Sequence, residues 1–362
     1  MSSETLSYLN SNTLIGFTDK RGKAWHYRAE LQGTELNHYP GAIPIDDVKR
    51  RLMGWDALTF PATVIIPAGG PGNEDGAEDL IISDPTRQIV IRSDNHKFLH
   101  QAMESYRPHQ YRDVLLDNVS HILDDELQIA SAGLLKGGSL GWVQCEMPEN
   151  VETPEGVTFR PFLLAFSSLD GTTKSGYQRG FVNVVCDNTF NMFRNDRRSG
   201  ALYTVKHTKY SEVKIADARQ ALDIVFSSVD EINAEIKQLC EIGFTDKMFS
   251  AFLDEIAPMP VADSTGKVSK NAETRADAKR GVLSQLYRFD PRCSPWNGTA
   301  WGVVQTVNTF QQHNTQMRGV GDSEFERGPK IGERAQLRAI NGDLDKDTTS
   351  TLTAIRKVLA TV

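Results

Sequence analysis

Cysteine is scarce in this chain. Cys145, Cys186, Cys240 and Cys293 are the only four in 362 residues, and no CxxC pair occurs. That spacing argues against a disulfide framework or a zinc site and predicts buried free thiols in a reducing compartment. No apolar run approaches the ~18 residues of a membrane helix. The opening MSSETLSYLN has neither the basic nor the apolar stretch of a secretion signal, so a cytoplasmic protein of the host cell is expected. Catalytic signatures are missing too. There is no GxSxG and no HExxH, and the glycines of PAGGPGNEDGAED at 67–79 are not followed by the GK[ST] of a phosphate-binding loop. The chain shows no internal repeat and no low-complexity tract.

What is present is ordinary for a globular protein, with 39% hydrophobic and 24% charged residues and enough length for two domains. The net charge of −7 argues against a dedicated duplex-DNA binder. It leaves room for a local basic groove, because counterion release depends on the lysines and arginines at the contact.

Ile45 to Leu52 reads as a short helix, and Ala62 to Ile66 and Gln88 to Arg92 as β-branched strands joined by the acidic glycine-rich loop. Arg112 to Leu127 carries helical spacing. Four strands follow, Leu127 to Leu135, Ser139 to Met147, Phe159 to Ser168 and Tyr177 to Cys186. Turns at Gly137-Gly138 and Asp170-Gly171 and a loop at 148–156 join them. Such short connections predict an antiparallel meander. FLLAF at 162–166 and FVNVV at 181–185 read as buried.

Beyond Lys214 the pattern is helical. Leu222, Val225, Val229, Ile232, Ile236 and Leu239 fall at alternating spacings of three and four, the register of a core helix or of a subunit-pairing helix. Gly243 ends this helix and Thr245-Asp246 caps the next. Further helices are expected at Ala272 to Arg288, Thr299 to Gln312, Gly332 to Ile340 and Thr348 to Ala360. The predicted fold class is therefore α+β: an antiparallel β-meander with flanking helices at 1–215, then an α-helical region at 216–362 with a flexible linker near 257–271.

Five sets of residues could carry chemistry. From Arg194 to Arg219, seven lysines and arginines stand against three acids. The candidate nucleic-acid contacts are Arg194, Arg197, Arg198, Tyr203, Lys206, His207, Lys209, Tyr210 and Lys214. Cations neutralise phosphates and interleaved aromatics stack on bases, which is what a single-strand groove requires. The alternative is a solvated charged loop beside a core tyrosine. A second basic set, Lys267, Lys270, Arg275, Lys279 and Arg280, reads as solvated linker. His96, His100 and Glu104 would share a face if 94–104 were helical, though incidental surface histidines explain them as well. Asp124, Asp125, Glu126 and Asp343, Asp345, Asp347 lack the spacing of a calcium loop. Cys186 reads as a structural thiol at a strand end. No catalytic residue, metal site or cofactor is assigned.

The segment RGFVNVVCDNTFN at 179–191 resembles the phage/plasmid-like proteins, a domain-of-unknown-function family of phages, prophages and plasmids. GLLKGGSLGWVQCEMP at 133–148, LLAFSSLDGTTKSG at 163–176, VKHT at 205–208 and TAWGVVQTVNTFQQH at 299–313 are similar to further family segments, and Trp25-His26 to its N-terminal feature, with Tyr27 in place of the glycine of many members. The resemblance implies a mobile-element origin and no activity. It makes DNA metabolism the expected setting, and strands followed by a helix are analogous to the core of single-strand annealing recombinases. The expected function is non-enzymatic binding of single-stranded nucleic acid, with annealing or recombination as its use, by a homo-oligomer away from membranes. The alternatives are an interaction protein that binds a host factor and a metal-dependent nuclease.

Overall fold

A computed structural model of the chain describes residues 12–19, 35–123, 127–183, 188–190, 202–205, 229–262, 264, 266–314, 334 and 337–361. Two antiparallel sheets fill the N-terminal half and helices the C-terminal half, which is the predicted α+β class.

The main sheet has eight strands: β1 (Thr13–Ile15), β5 (Gln128–Leu135), β6 (Leu140–Glu146), β7 (Val151–Glu152), β8 (Thr158–Ser168), β9 (Ser175–Asn183), β10 (Asn188–Phe190) and β11 (Leu202–Val205). The path runs β1-β5-β6-β8-β9-β10, with β7 paired to β8 and β11 paired to β9. The β5–β6 turn explains its glycines. Lys136, Gly137 and Gly138 all have positive φ, a conformation that costs a side-chain-bearing residue energy and glycine little. The predicted meander is therefore present, with ends shifted by a few residues.

Strand alternation splits the core. Ile129, Ala132, Val143, Cys145, Leu163, Ala165 and Tyr177 pack under α1 (Ile45–Arg51) and α2, a π-helical turn Arg112–Asp117 continuing as Asn118–Ser120. Leu135, Leu140, Trp142, Phe162, Leu164 and Phe166 pack on Ile340 from the opposite side. Burial on both faces is why FLLAF reads as a continuous apolar run. Phe181 of the predicted buried FVNVV is fully buried; the side chains of residues 182–185 lie outside the described residues. The helix expected to reach Leu127 is shorter, since its last α-helical turn closes at Ser120.

A second sheet, β2 (Ala57–Ile66), β3 (Leu80–Arg92) and β4 (Phe98–Met103), rests one face on the first core through Ala57, Val90, Leu99 and Ala102. Arg92 fastens it: its guanidinium lies 4.1 Å from the Trp55 ring and donates to the Gly137 carbonyl at 3.1 Å. Residues 94–104 are not helical. His96 sits in a turn at φ 55° and His100 is in β4, so they do not share a helix face with Glu104.

The C-terminal half includes the helices α3 (229–241), α4 (Asp246–Ile256), α5 (Lys270–Phe289), α6 (Ala300–Thr309) and α7 (Asp343–Thr361), and residues 337–341 are helical as expected. Thr245, Ser269 and Thr299 cap α4, α5 and α6 by accepting from the backbone N–H three residues on. Ile232, Ile236, Phe252, Tyr287, Trp301 and Ile355 form a third core, which meets the main sheet at Phe159 and Phe181. Every residue of α6 is buried. Among the described residues no helix is long and apolar enough to cross a membrane.

Candidate functional site

The outer edge of β9 holds two short strands end to end. Asn188, Thr189 and Phe190 of β10 pair with Asn183, Val182 and Phe181. Leu202, Tyr203, Thr204 and Val205 of β11 then pair with Gln178, Tyr177, Gly176 and Ser175. Between the two pairings, β9 advances by only two residues, 179 and 180, while the chain inserts eleven, 191–201. At about 3.3 Å per strand residue, that insertion leaves and rejoins the edge within roughly 10 Å.

The inserted segment carries Arg194, Arg197 and Arg198, and Lys206, His207, Lys209, Tyr210 and Lys214 follow β11. These eight residues lie outside the described residues. Tyr203 is placed by its backbone in β11, opposite Tyr177. Tyr177 is buried and donates from its hydroxyl to the Val114 carbonyl at 3.3 Å. In the sequence, Arg194, Arg197 and Arg198 precede, and Lys206, Lys209 and Lys214 follow, a strand fixed to the main sheet.

The second basic set is partly structural. Lys279 donates to the Ile256 carbonyl at 2.7 Å, and Arg280 to Asp254 at 2.8 Å and to the Ala257 carbonyl at 3.2 Å, so both brace the C-terminal end of α4. Lys279 borders a cleft of about 540 Å³ between α4, α5, α6 and α7, which Asp347, Thr351 and Lys357 also line. Lys357 is paired with Glu255 at 2.7 Å and Asp347 with Arg338. Desolvation lowers the Lys279 pKa and raises that of Asp347. Of the predicted acidic groups, Asp343 pairs with Lys346 at 2.8 Å, while 124–126 lie outside the described residues.

Several buried polar groups were not singled out in the sequence. Arg160 and Glu146 stand 3.5 Å apart with neither side chain exposed, and Gln144 donates to Glu146 at 2.8 Å. A charged residue inside the apolar run FRPFLLAF is the signal that marks such a pair. His109 Nδ1 lies 2.8 Å from Ser175 Oγ, which is 2.8 Å from Ser167 Oγ, and burial holds the His109 pKa below its usual value. Burial pushes the Glu235 carboxyl up to about 7, against the pull of Arg356. Cys145 and Cys293 are buried free thiols, as expected, and Cys240 is half-buried; desolvation raises all three pKa values. Cys186 lies outside the described residues. Among the described residues, no group of three or more His, Cys, Asp or Glu side chains could hold a metal ion.

The profile of one family, described as a domain of unknown function (DUF932), matches residues 99–331, from β4 past the end of α6. No curated protein and no solved structure matches the chain.

Proposed function

The chain belongs to the DUF932 family, a domain of unknown function, and from that premise we propose that it binds single-stranded nucleic acid without catalysing a reaction. One observation carries the reading. β10 and β11 tether both ends of the arginine-bearing segment 191–201 to a single sheet edge. A basic segment held at both ends loses less conformational entropy on meeting a phosphate chain than a free one does. In this reading Arg194, Arg197, Arg198, Lys206, Lys209 and Lys214 hold phosphates, Tyr203, Tyr210 and His207 offer stacking surfaces, and the action is annealing or recombination for a phage or plasmid. The mobile-element setting rests on the resemblance at 179–208.

A gel-shift assay with a labelled single strand at low salt tests the proposal. A retarded band that fades as salt rises supports it, and an unshifted oligonucleotide refutes it. Cleavage of the same oligonucleotide on adding magnesium, abolished by chelator, would favour the nuclease alternative.

A second reading, binding of a host protein, is favoured by the tip of the β2–β3 hairpin. Residues 67–79 contain Glu74, Asp75, Glu78 and Asp79 and no lysine or arginine. One stoichiometric partner retained from host lysate after nuclease treatment, and lost when these four acids are neutralised, would support it.

A further inference from the structure

Sheets with one face on a core ordinarily turn a polar face to water, and the β2-β3-β4 sheet does not. Its inner face packs Ala57, Val90, Leu99 and Ala102 into the body of the molecule. On its outer face the register aligns Leu58 with Ile91, Phe60 with Ile89 and Val64 with Ile82, and β4 adds Phe98 opposite Ile91 and Met103 opposite Arg87. Phe98 is 58% exposed, Val64 62%, Ile82 50% and Phe60 49%. Together with Leu58 and Met103, these side chains leave on the order of 600 Å² of apolar surface open, the upper end of what a monomer shows. Past the bulge at Pro61/Ala62 the β2–β3 ribbon extends beyond the register of β4.

We propose that this outer face is a homodimer interface, covered by the same face of a second copy of the chain. Two such faces bring about 1,200 Å² together, the lower end of a standard stable interface. The face is apolar at its centre, as homodimer interfaces are. Its two charges at the bulge, Asp84 and Arg87, have opposite signs, so the face meets its own copy without net like-charge repulsion. The acidic tips at 67–79 would repel one another side by side, and a two-fold axis running the ribbons antiparallel keeps them at opposite ends. The inference stands independently of nucleic-acid binding.

Sedimentation velocity on the full chain at micromolar concentration, with far-ultraviolet circular dichroism as the folding control, tests it. The wild type should sediment as a dimer. Val64→Glu and Ile82→Glu, both at exposed positions on the outer face, should sediment as monomers with unchanged dichroism. Ser83→Glu, on the other face of the same ribbon, should remain a dimer. A monomeric wild type overturns the proposal and points to cover by another segment of the chain or by a different protein. Dimers of Val64→Glu and Ile82→Glu as stable as the wild type overturn it as well.

Discussion

Arg160 of β8 reaches Glu146 of β6 at 3.5 Å, and neither side chain is exposed to water. The guanidinium also lies 5.8 Å from the ring of Phe17. A charge in this position is tolerated where a group of opposite sign faces it. Arg160→Met alone, or Glu146→Leu alone, should therefore cost about 3–5 kcal/mol by leaving one buried charge uncompensated. The double variant R160M/E146L should recover most of that loss. Urea unfolding of the four proteins measures it; simple addition of the two single losses would mean the residues act separately.

Glu235 and His109 give stability opposite pH dependences over overlapping ranges. The Glu235 carboxyl binds its proton more tightly folded, near 7, than unfolded. Its contribution therefore falls as pH rises from about 4.5 to 7, by on the order of 1 kcal/mol per unit. His109 is lowered by burial, so the folded chain binds its proton less tightly. Its contribution is full above about 6.5 and is lost as pH falls below that value. In Glu235→Gln, stability should rise from pH 5 to 7. In His109→Gln it should fall over the same interval. Midpoints of urea unfolding across that range check both signs.

Two glycines separate close packing from helix propensity. A Cβ on Gly302 in α6 would overlap the Trp296 carbonyl, whereas a Cβ on Gly281 in α5 meets nothing within 4 Å. Gly302→Ala should destabilise by roughly 1–3 kcal/mol through overpacking. Gly281→Ala should stabilise by about 0.5–1 kcal/mol, because alanine loses less backbone entropy in a helix. Thermal unfolding of the two variants should move in opposite directions.

The strands of the main sheet were legible because β5, β6 and β8 are largely apolar runs between turn residues, and the glycine turn at 137–138 adopts the positive φ that its residues suggest. β4 was not legible. A bulge between Val90 and Ile91 breaks the pairing, and the four-residue separation of His96 and His100 mimics a helical face. The helix at Arg112 was read too long because its apolar spacing continues to Leu123, past the last α-helical residue, Ser120. The Thr245 cap was read correctly, since a cap is a local interaction between residues three apart. The Arg160–Glu146 pair depends on strand order, which residue spacing does not encode. The candidate basic site was visible as composition, while the tethering of segment 191–201 at both ends emerged only from the pairing of β10 and β11 with β9.

The central claim is that the basic run flanking β11 holds a single-stranded phosphate chain. Fluorescence anisotropy of a labelled oligothymidine, titrated with protein over a series of salt concentrations, tests it most directly. The wild type should bind, with log affinity falling linearly against log salt. The variant R197E/R198E should bind more weakly, with a slope shallower by about 1.4 if each arginine neutralises one phosphate. No anisotropy change for the wild type at low salt, or equal affinity and slope in the two proteins, would contradict the account.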